Sequence, residues 1–226
     1  MKSLGLTIAG AALLIGTPTI AQDGGWALSG RVGAVSDYYD RGYMLSEGVT
    51  AQGEVTASRA TGAYAGVWLS GIDPYGVDAD GEGARVEVTA YAGWAGEAVG
   101  FEVDVGVWSN HYPDGTDVDY VEFPVQIARA IGPARLSAGV IYAPDQTGVG
   151  GEDNTWAWLG ADYAPIAWPV SLHARVGHER GGFAPDGKVD WRLGAEAPAG
   201  PLTLGLDWID SDIDDGALVA RVFFDF

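Results

Sequence analysis

The sequence contains no cysteine, so disulfides, thiol catalysis and cysteine metal sites are all excluded. Positive charge is scarce: 12 Lys and Arg stand against 31 Asp and Glu, a formal net charge of −19. A chain this acidic is not a nucleic-acid partner. Beyond the first two dozen residues, no stretch approaches the roughly 18 to 20 consecutive apolar residues of a transmembrane helix. If the chain crosses a membrane, it does so with strands. A Pro- or Ser-rich linker and any break in composition are also missing, which fits one domain after the N-terminal segment.

What is present is glycine, 35 residues of it, with nine tryptophans and ten tyrosines, the composition of a strand-and-turn protein rich in amphipathic aromatics. The opening MKSLGLTIAGAALLIGTPTIAQ has a lysine at position 2, an apolar run from Leu4 to Gly16, and the small-x-small pattern Thr19, Ile20, Ala21. It predicts a signal peptide over residues 1–21, cut after Ala21, and export of a mature chain 22–226. A retained anchor is the alternative, but the apolar run is too short to span a bilayer.

The rest alternates with a period of two. In VEVTAYAGW, Val86, Val88, Ala90 and Ala92 oppose Glu87, Thr89 and Tyr91; in FEVDVGVW, Phe101, Val103, Val105 and Val107 oppose Glu102, Asp104 and Gly106. LTLGLDW sets Leu202, Leu204, Leu206 and Trp208 against Thr203, Gly205 and Asp207. This is a strand's period, not a helix's. Twelve such segments are expected, at 26–37, 48–58, 62–70, 84–95, 98–109, 120–130, 134–142, 154–164, 168–178, 188–197, 201–209 and 217–226. Most approach the ~9 to 11 residues that a tilted strand needs to cross a bilayer.

The connections carry a second signal. Short ones (SRATG, AGEA, AIGPA, APIAW, APAG) alternate with long ones (YYDRGYMLSEG, GIDPYGVDADGEG, HYPDGTDVD, APDQTGVGGEDN, ERGGFAPDG, DSDIDDG). The long set holds 18 carboxylates and two arginines. Outer-membrane barrels have short periplasmic turns and long outer loops, so the fold class expected is all-β, a single antiparallel transmembrane β-barrel of about twelve strands. A secreted β-sandwich would leave the alternation in turn length unexplained. The final LVARVFFDF puts Leu218, Ala220, Val222, Phe224 and Phe226 on one face, a strand expected to close the barrel against the first. It also resembles the C-terminal signature of bacterial outer-membrane proteins, which implies that Phe226 is an assembly signal read by the barrel-assembly machinery.

With the apolar face toward lipid, the lumen receives Arg31, Arg85, Arg135, Arg175, Arg192 and Arg221, together with Glu54, Glu87, Glu102, Asp104, Glu122, Asp162, Asp190, Glu196, Asp207 and Asp225. So many charges predict a wet lumen with arginines forked onto carboxylates. Trp26, Trp94, Tyr142, Tyr163, Trp208 and Phe226 fall at strand ends, as interfacial girdles do. Trp156 and Trp158 share the face of Asp162 and are expected to point inward as constriction or filler.

No catalytic or metal motif survives inspection. DSDIDDG fails as an EF-hand because Asp215 replaces the required glycine and Arg221 stands in place of the bidentate glutamate; DADGEG fails likewise. Ser171 and His173 share a face with Arg175 inside the lumen, away from lipid substrates, and His111 and His178 sit near loops. Neither enzyme activity nor a cofactor is expected.

VSDYYDRGYMLSEGVTAQGEV followed by GAYAGVWLS resembles the N-terminal part of the TorF-like porins of proteobacteria, through Ser36, Asp37, Tyr38, Arg41, Gly42, Gln52, Gly53, Gly62, Tyr64, Gly66 and Trp68. EVTAYAGW and YPDGTDVDYVEF are similar to family segments through Glu87, Tyr91, Gly93, Tyr112, Pro113, Tyr120 and Glu122. The resemblance covers about half of the mature chain and departs at Met44 and Leu45, where the family has serine and glutamine. It implies an outer-membrane barrel in contact with lipid, lipopolysaccharide and small polar solutes. The function expected is passive diffusion of such solutes with a preference for cations, because acids outnumber bases along the path. The alternative is a non-conducting barrel whose acidic loops bind divalent cations or a surface partner.

Overall fold

The computed structural model describes residues 25–226; the expected signal peptide lies outside the described residues. Fourteen strands are present among the described residues: β1 Ala27–Val35, β2 Tyr38–Asp40, β3 Tyr43–Ser46, β4 Thr50–Ser58, β5 Ala63–Tyr75, β6 Ala84–Ala98, β7 Phe101–His111, β8 Tyr120–Ile131, β9 Ala134–Gln146, β10 Glu152–Tyr163, β11 Ser171–Gly181, β12 Ala184–Ala199, β13 Leu202–Ser211 and β14 Ala217–Asp225. Twelve of them form one closed antiparallel barrel in the order β1-β14-β13-β12-β11-β10-β9-β8-β7-β6-β5-β4, and β2 pairs only with β3. The expected barrel is the observed one.

Closure runs through β1 and β14, with Arg31 opposite Asp225 and Val35 opposite Arg221. Beyond the ladder, Gly30 N–H donates to the Phe226 carbonyl at 2.8 Å, and Phe226 N–H donates to the Gly30 carbonyl at 2.9 Å. The barrel sheet has no open edge, which lets each of its strands satisfy its backbone inside a bilayer. The outer face is apolar, with Leu28, Val32, Val55, Val67, Val105, Val125, Leu159, Leu193, Leu204 and Leu218 all exposed. Trp26, Trp94, Tyr142, Tyr163, Trp208 and Phe226 are exposed as well, at the strand ends where girdles belong.

Several segments that read as loops are strand. β5 continues to Tyr75, β9 to Gln146, and β12 begins at Ala184, so only residues 182–183 separate β11 from β12. Ladder pairing pulls polar, glycine-rich sequence into these extensions, and register shifts mark them, between Gly71 and Tyr75 and between Glu179 and Gly181.

Inside, aromatic side chains lie over glycines of neighbouring strands. A Cβ on Gly66 would come 2.4 Å from the Tyr91 hydroxyl, and one on Gly93 2.3 Å from that of Tyr64. Gly139 faces the Trp158 ring and Gly177 the Trp156 ring in the same way. Overfilling a packed site of this kind costs about 1–3 kcal/mol. Gly66→Ala is therefore expected to lower the urea midpoint of the detergent-folded barrel. Gly53→Ala is the control, since its Cβ would meet nothing nearer than 3.8 Å. Equal midpoints for the two variants would show that Tyr91 moves freely.

Candidate functional site

The segment between β1 and β4 does not stand above the barrel. It folds inward as the β2–β3 hairpin, whose two-residue tip is Arg41-Gly42, with φ of 48° and 82°. Positive φ at both positions is the signature of the tight type I′ turn, and it is an uncommon conformation for an arginine. The glycine is required for another reason: a Cβ at Gly42 would approach Asp190 Cβ to 2.8 Å and Ser211 Cβ to 2.9 Å. The tip is pressed against the wall made by β12 and β13.

Arg41 is 5% exposed. Its Nη2 donates to Glu122 Oε2 on β8 at 2.6 Å, and its Nη1 to Glu179 Oε1 on β11 at 3.3 Å. Lys188 on β12, also buried, donates to the Arg41 carbonyl and lies 2.6 Å from Glu179 Oε2. The Lys188 ammonium also sits 3.5 Å from the centroid of the Tyr43 ring, and the Arg41 guanidinium 5.5 Å from that of Trp156. Two cations thus meet two carboxylates drawn from β8 and β11, three strands apart in the barrel, and Asp40 adds a third 3.5 Å from the Arg41 Nε, which is how charges survive burial.

The rest of the hairpin is held as firmly. Tyr38 donates to Glu87 on β6 at 3.0 Å, Tyr43 to the Phe183 carbonyl at 2.6 Å, and Ser211 to the Gly42 carbonyl at 3.3 Å. Around these contacts Val35, Tyr38, Ile72, Tyr112, Tyr120, Val149, Ile209 and Val219 form a buried cluster. The outer half of the lumen is therefore packed rather than wet, which differs from the expectation drawn from its charges. The filler is the hairpin together with inward tyrosines and tryptophans.

The inner half holds most of the remaining lumen residues expected from the sequence. Asp207 is fully buried; it accepts from Arg192, lies 2.5 Å from Arg221 Nε, and meets His173 Nε2 at 2.5 Å. Glu196 lies 3.8 Å from Arg221, and Arg31 pairs with Asp225 at 2.8 Å. Arg135 donates to Glu102 at 2.8 and 3.0 Å and stands 3.7 Å from Asp162. Trp156 and Asp190, against which the hairpin tip sits, join the two halves: Trp156 donates to Asp190 at 2.7 Å, and Arg175 stacks on the Trp156 ring at 4.7 Å. Trp156 and Trp158 both point inward and are buried. Arg85 is the exception: it is exposed at the outer end of β6, beside the register shift, and does not join the lumen.

The walls differ in kind. Arg31, Arg135, Arg175, Lys188, Arg192 and Arg221 stand on β1 and on β9, β11, β12 and β14, interleaved with acids. On the opposite side, tyrosine hydroxyls take the place of cations: Tyr64 donates to Asp104 at 2.6 Å, Tyr91 to Glu54 at 2.7 Å, and Tyr112 to Glu87 at 3.0 Å.

Sequence reasoning missed Arg41, Glu179 and Lys188, the three residues around which the outer lumen is organised. The first two were counted among loop charges. The signal available was the Asp-Arg-Gly-Tyr tetrapeptide, since a glycine at the second central position is what a tight type I′ turn takes. His173, weighed beside Ser171 as a catalytic pair, has Asp207 as its partner.

A family profile described as "Bacterial protein of unknown function (Gcw_chp)" matches residues 20–225. A search of curated protein sequences finds no match. Among solved structures, the barrel is similar to a KdgM porin, with a TM-score of 0.59 and 8% identity over 88% of this chain and 98% of that one. It is similar to the NanC porin, with a TM-score of 0.56 and 10% identity over 88% and 99% of the two chains. The COG4313 outer membrane channel from Pseudomonas putida F1 gives a TM-score of 0.51 and 15% identity over 89% and 96%. At these identities the likeness is one of fold.

Proposed function

The chain belongs to the Gcw_chp family of bacterial proteins of unknown function, and from that premise we propose that it is a porin-like channel of the outer membrane, passing small polar solutes by passive diffusion. The single observation that carries the reading is a closed barrel of twelve strands, apolar outside and charged within. Residues 1–21 are read as the export signal, residues 22–226 as the barrel, and the motif around Arg41 and Gly42 as that of a TorF-like porin. The aperture is narrow, because the hairpin takes the outer half of the lumen.

Ion preference follows the charges along the path. The outer loops are strongly acidic, and the wall of β4 to β8 presents Glu54, Glu87, Glu102, Asp104 and Glu122. Purified barrel in a planar bilayer is expected to conduct in small steps and to prefer cations. The preference should fade toward 1 M salt, where the Debye length falls to about 3 Å. Replacing Glu102 and Asp104 by their amides is expected to move the reversal potential toward anions. Anion preference in the wild-type protein would mean that the arginines of β9 to β14 govern the constriction.

One observation favours a second reading: with the hairpin seated, the barrel is plugged and its acidic loops act at the cell surface. Absence of conductance from well-folded protein would select it. Localisation is tested by fractionation, with folded barrel expected in the outer membrane as a band whose gel mobility changes on boiling. A soluble periplasmic monomer would overturn both readings.

A further inference from the structure

A recess of about 250 Å³ opens at the inner end of the lumen, away from the hairpin. It is lined by Ala95, Glu97, Glu102, Asp104, Gln126, Ala128 and Arg135, with Gly96 and Val103 completing the wall. Strand register explains why these residues converge. Glu97 lies opposite Glu102 across β6 and β7, and Asp104 opposite Gln126 across β7 and β8. Alanine at 95 and 128 leaves the space that larger inward side chains fill elsewhere.

The polar groups of the recess are incompletely used. Asp104 is 6% exposed, and its Oδ1 accepts the Tyr64 hydroxyl at 2.6 Å, yet its Oδ2 is buried and accepts no hydrogen bond. A buried carboxylate oxygen without a donor is costly, so it marks a place where a donor is missing. Both Arg135 contacts fall on Oε2 of Glu102, so the guanidinium leaves Oε1 of that carboxylate unused. Three carboxylates and one guanidinium give the recess an excess of two negative charges. The missing partner is therefore a cation, and one that donates hydrogen bonds. An ammonium group has three N–H donors and a single compact charge, while the small apolar lining accommodates a short alkyl chain.

We infer that this recess is a binding site for a short aliphatic ammonium compound, with its –NH₃⁺ on Asp104 and its alkyl body along Ala95 and Ala128. The site is a binding site in its own right and stands whether or not the barrel conducts. A primary diamine of about four carbons neutralises both excess charges, and so serves as the probe.

The experiment is calorimetric titration of 1,4-diaminobutane into the full-length detergent-folded barrel at low salt, where exposed charges are least screened. Saturable one-to-one binding is expected. Succinate, a dianion of equal length, and sodium at the same concentration should give no saturable signal. Asp104→Asn is expected to weaken binding at least tenfold, and Ala128→Leu, which fills the recess without touching a charge, to abolish it. Folding of each variant is verified by heat-modifiable gel mobility, and the Ala128 variant keeps the test open if the Asp104 variant does not fold. Absence of diamine binding overturns the site; binding that is unchanged in a folded variant of either kind overturns it too and assigns the signal to the acidic outer loops. Because titration needs no membrane, its failure leaves the bilayer experiment untouched, and a silent bilayer leaves the titration untouched.

Discussion

Arg41→Met should release the β2–β3 hairpin from the lumen and raise the unit conductance of the reconstituted barrel several-fold. The substitution keeps the unbranched stem of the side chain and removes the charged guanidinium. With the hairpin still seated, Glu122 would keep only the Asn110 amide at 3.4 Å, and Glu179 would keep Lys188 and Asn154. Leaving one carboxylate buried and uncompensated costs about 3–5 kcal/mol. The hydrogen bonds that would still hold the hairpin, from Tyr38 to Glu87, Tyr43 to Phe183, Ser211 to Gly42 and Lys188 to the backbone carbonyl of residue 41, return roughly 0.5–1.5 kcal/mol each. The penalty is of the same size as this restraint, and the water that the carboxylates gain once the hairpin leaves tips the balance toward release. No barrel ladder is broken, since β2 and β3 pair only with each other. Folded, heat-modifiable protein should persist while Tyr39 and Tyr43 become cleavable by chymotrypsin. Wild-type conductance together with wild-type resistance to cleavage would show that apolar packing alone seats the hairpin.

The barrel was legible in the sequence and the hairpin was not, and the two differ in how their information is written. Strand identity follows from a local period of two, so FEVDVGVW and LTLGLDW declare both their element and their outward face. Closure follows from the even strand count and the alternation of turn lengths. The inward course of YYDRGYMLSEG depends on partners 81 residues away at Glu122 and 138 away at Glu179, and no local pattern encodes them. Glu179 and Lys188 were hidden for a related reason: they flank a tight β11–β12 connection whose glycine and proline read as loop, although pairing carries the ladder to Gly181 and Ala184. Alternation sets Asp104, Glu122, Asp190 and Asp207 on the face opposite the apolar one, and all four are buried. It does not tell whether an inward charge meets water, a tyrosine or an arginine.

Asp207 is where that distinction has its largest consequence for stability. Its carboxylate is wholly buried, with guanidinium groups of Arg192 and Arg221 and the His173 ring against it. The site has no slack, because a Cβ on Gly194 of the neighbouring strand would come 1.8 Å from Asp207 Oδ1. Arg175 stands directly opposite Arg192 in the β11–β12 register, so the local wall is crowded with positive charge, which Asp207 balances together with Glu196. Asp207→Asn preserves shape and removes the charge, leaving two guanidinium groups in apposition. Breaking a buried network in this way typically costs 3–5 kcal/mol, and the urea midpoint of the detergent-folded barrel, followed by tryptophan fluorescence, should fall accordingly. Pairing it with Arg192→Met removes one of the stranded cations, so the double variant should be less destabilised than the sum of the two single changes, by about 1–3 kcal/mol. Strict additivity would mean that Glu196, 3.8 Å from Arg221, takes over the balancing role and that the inner lumen is wet enough to screen the arginines.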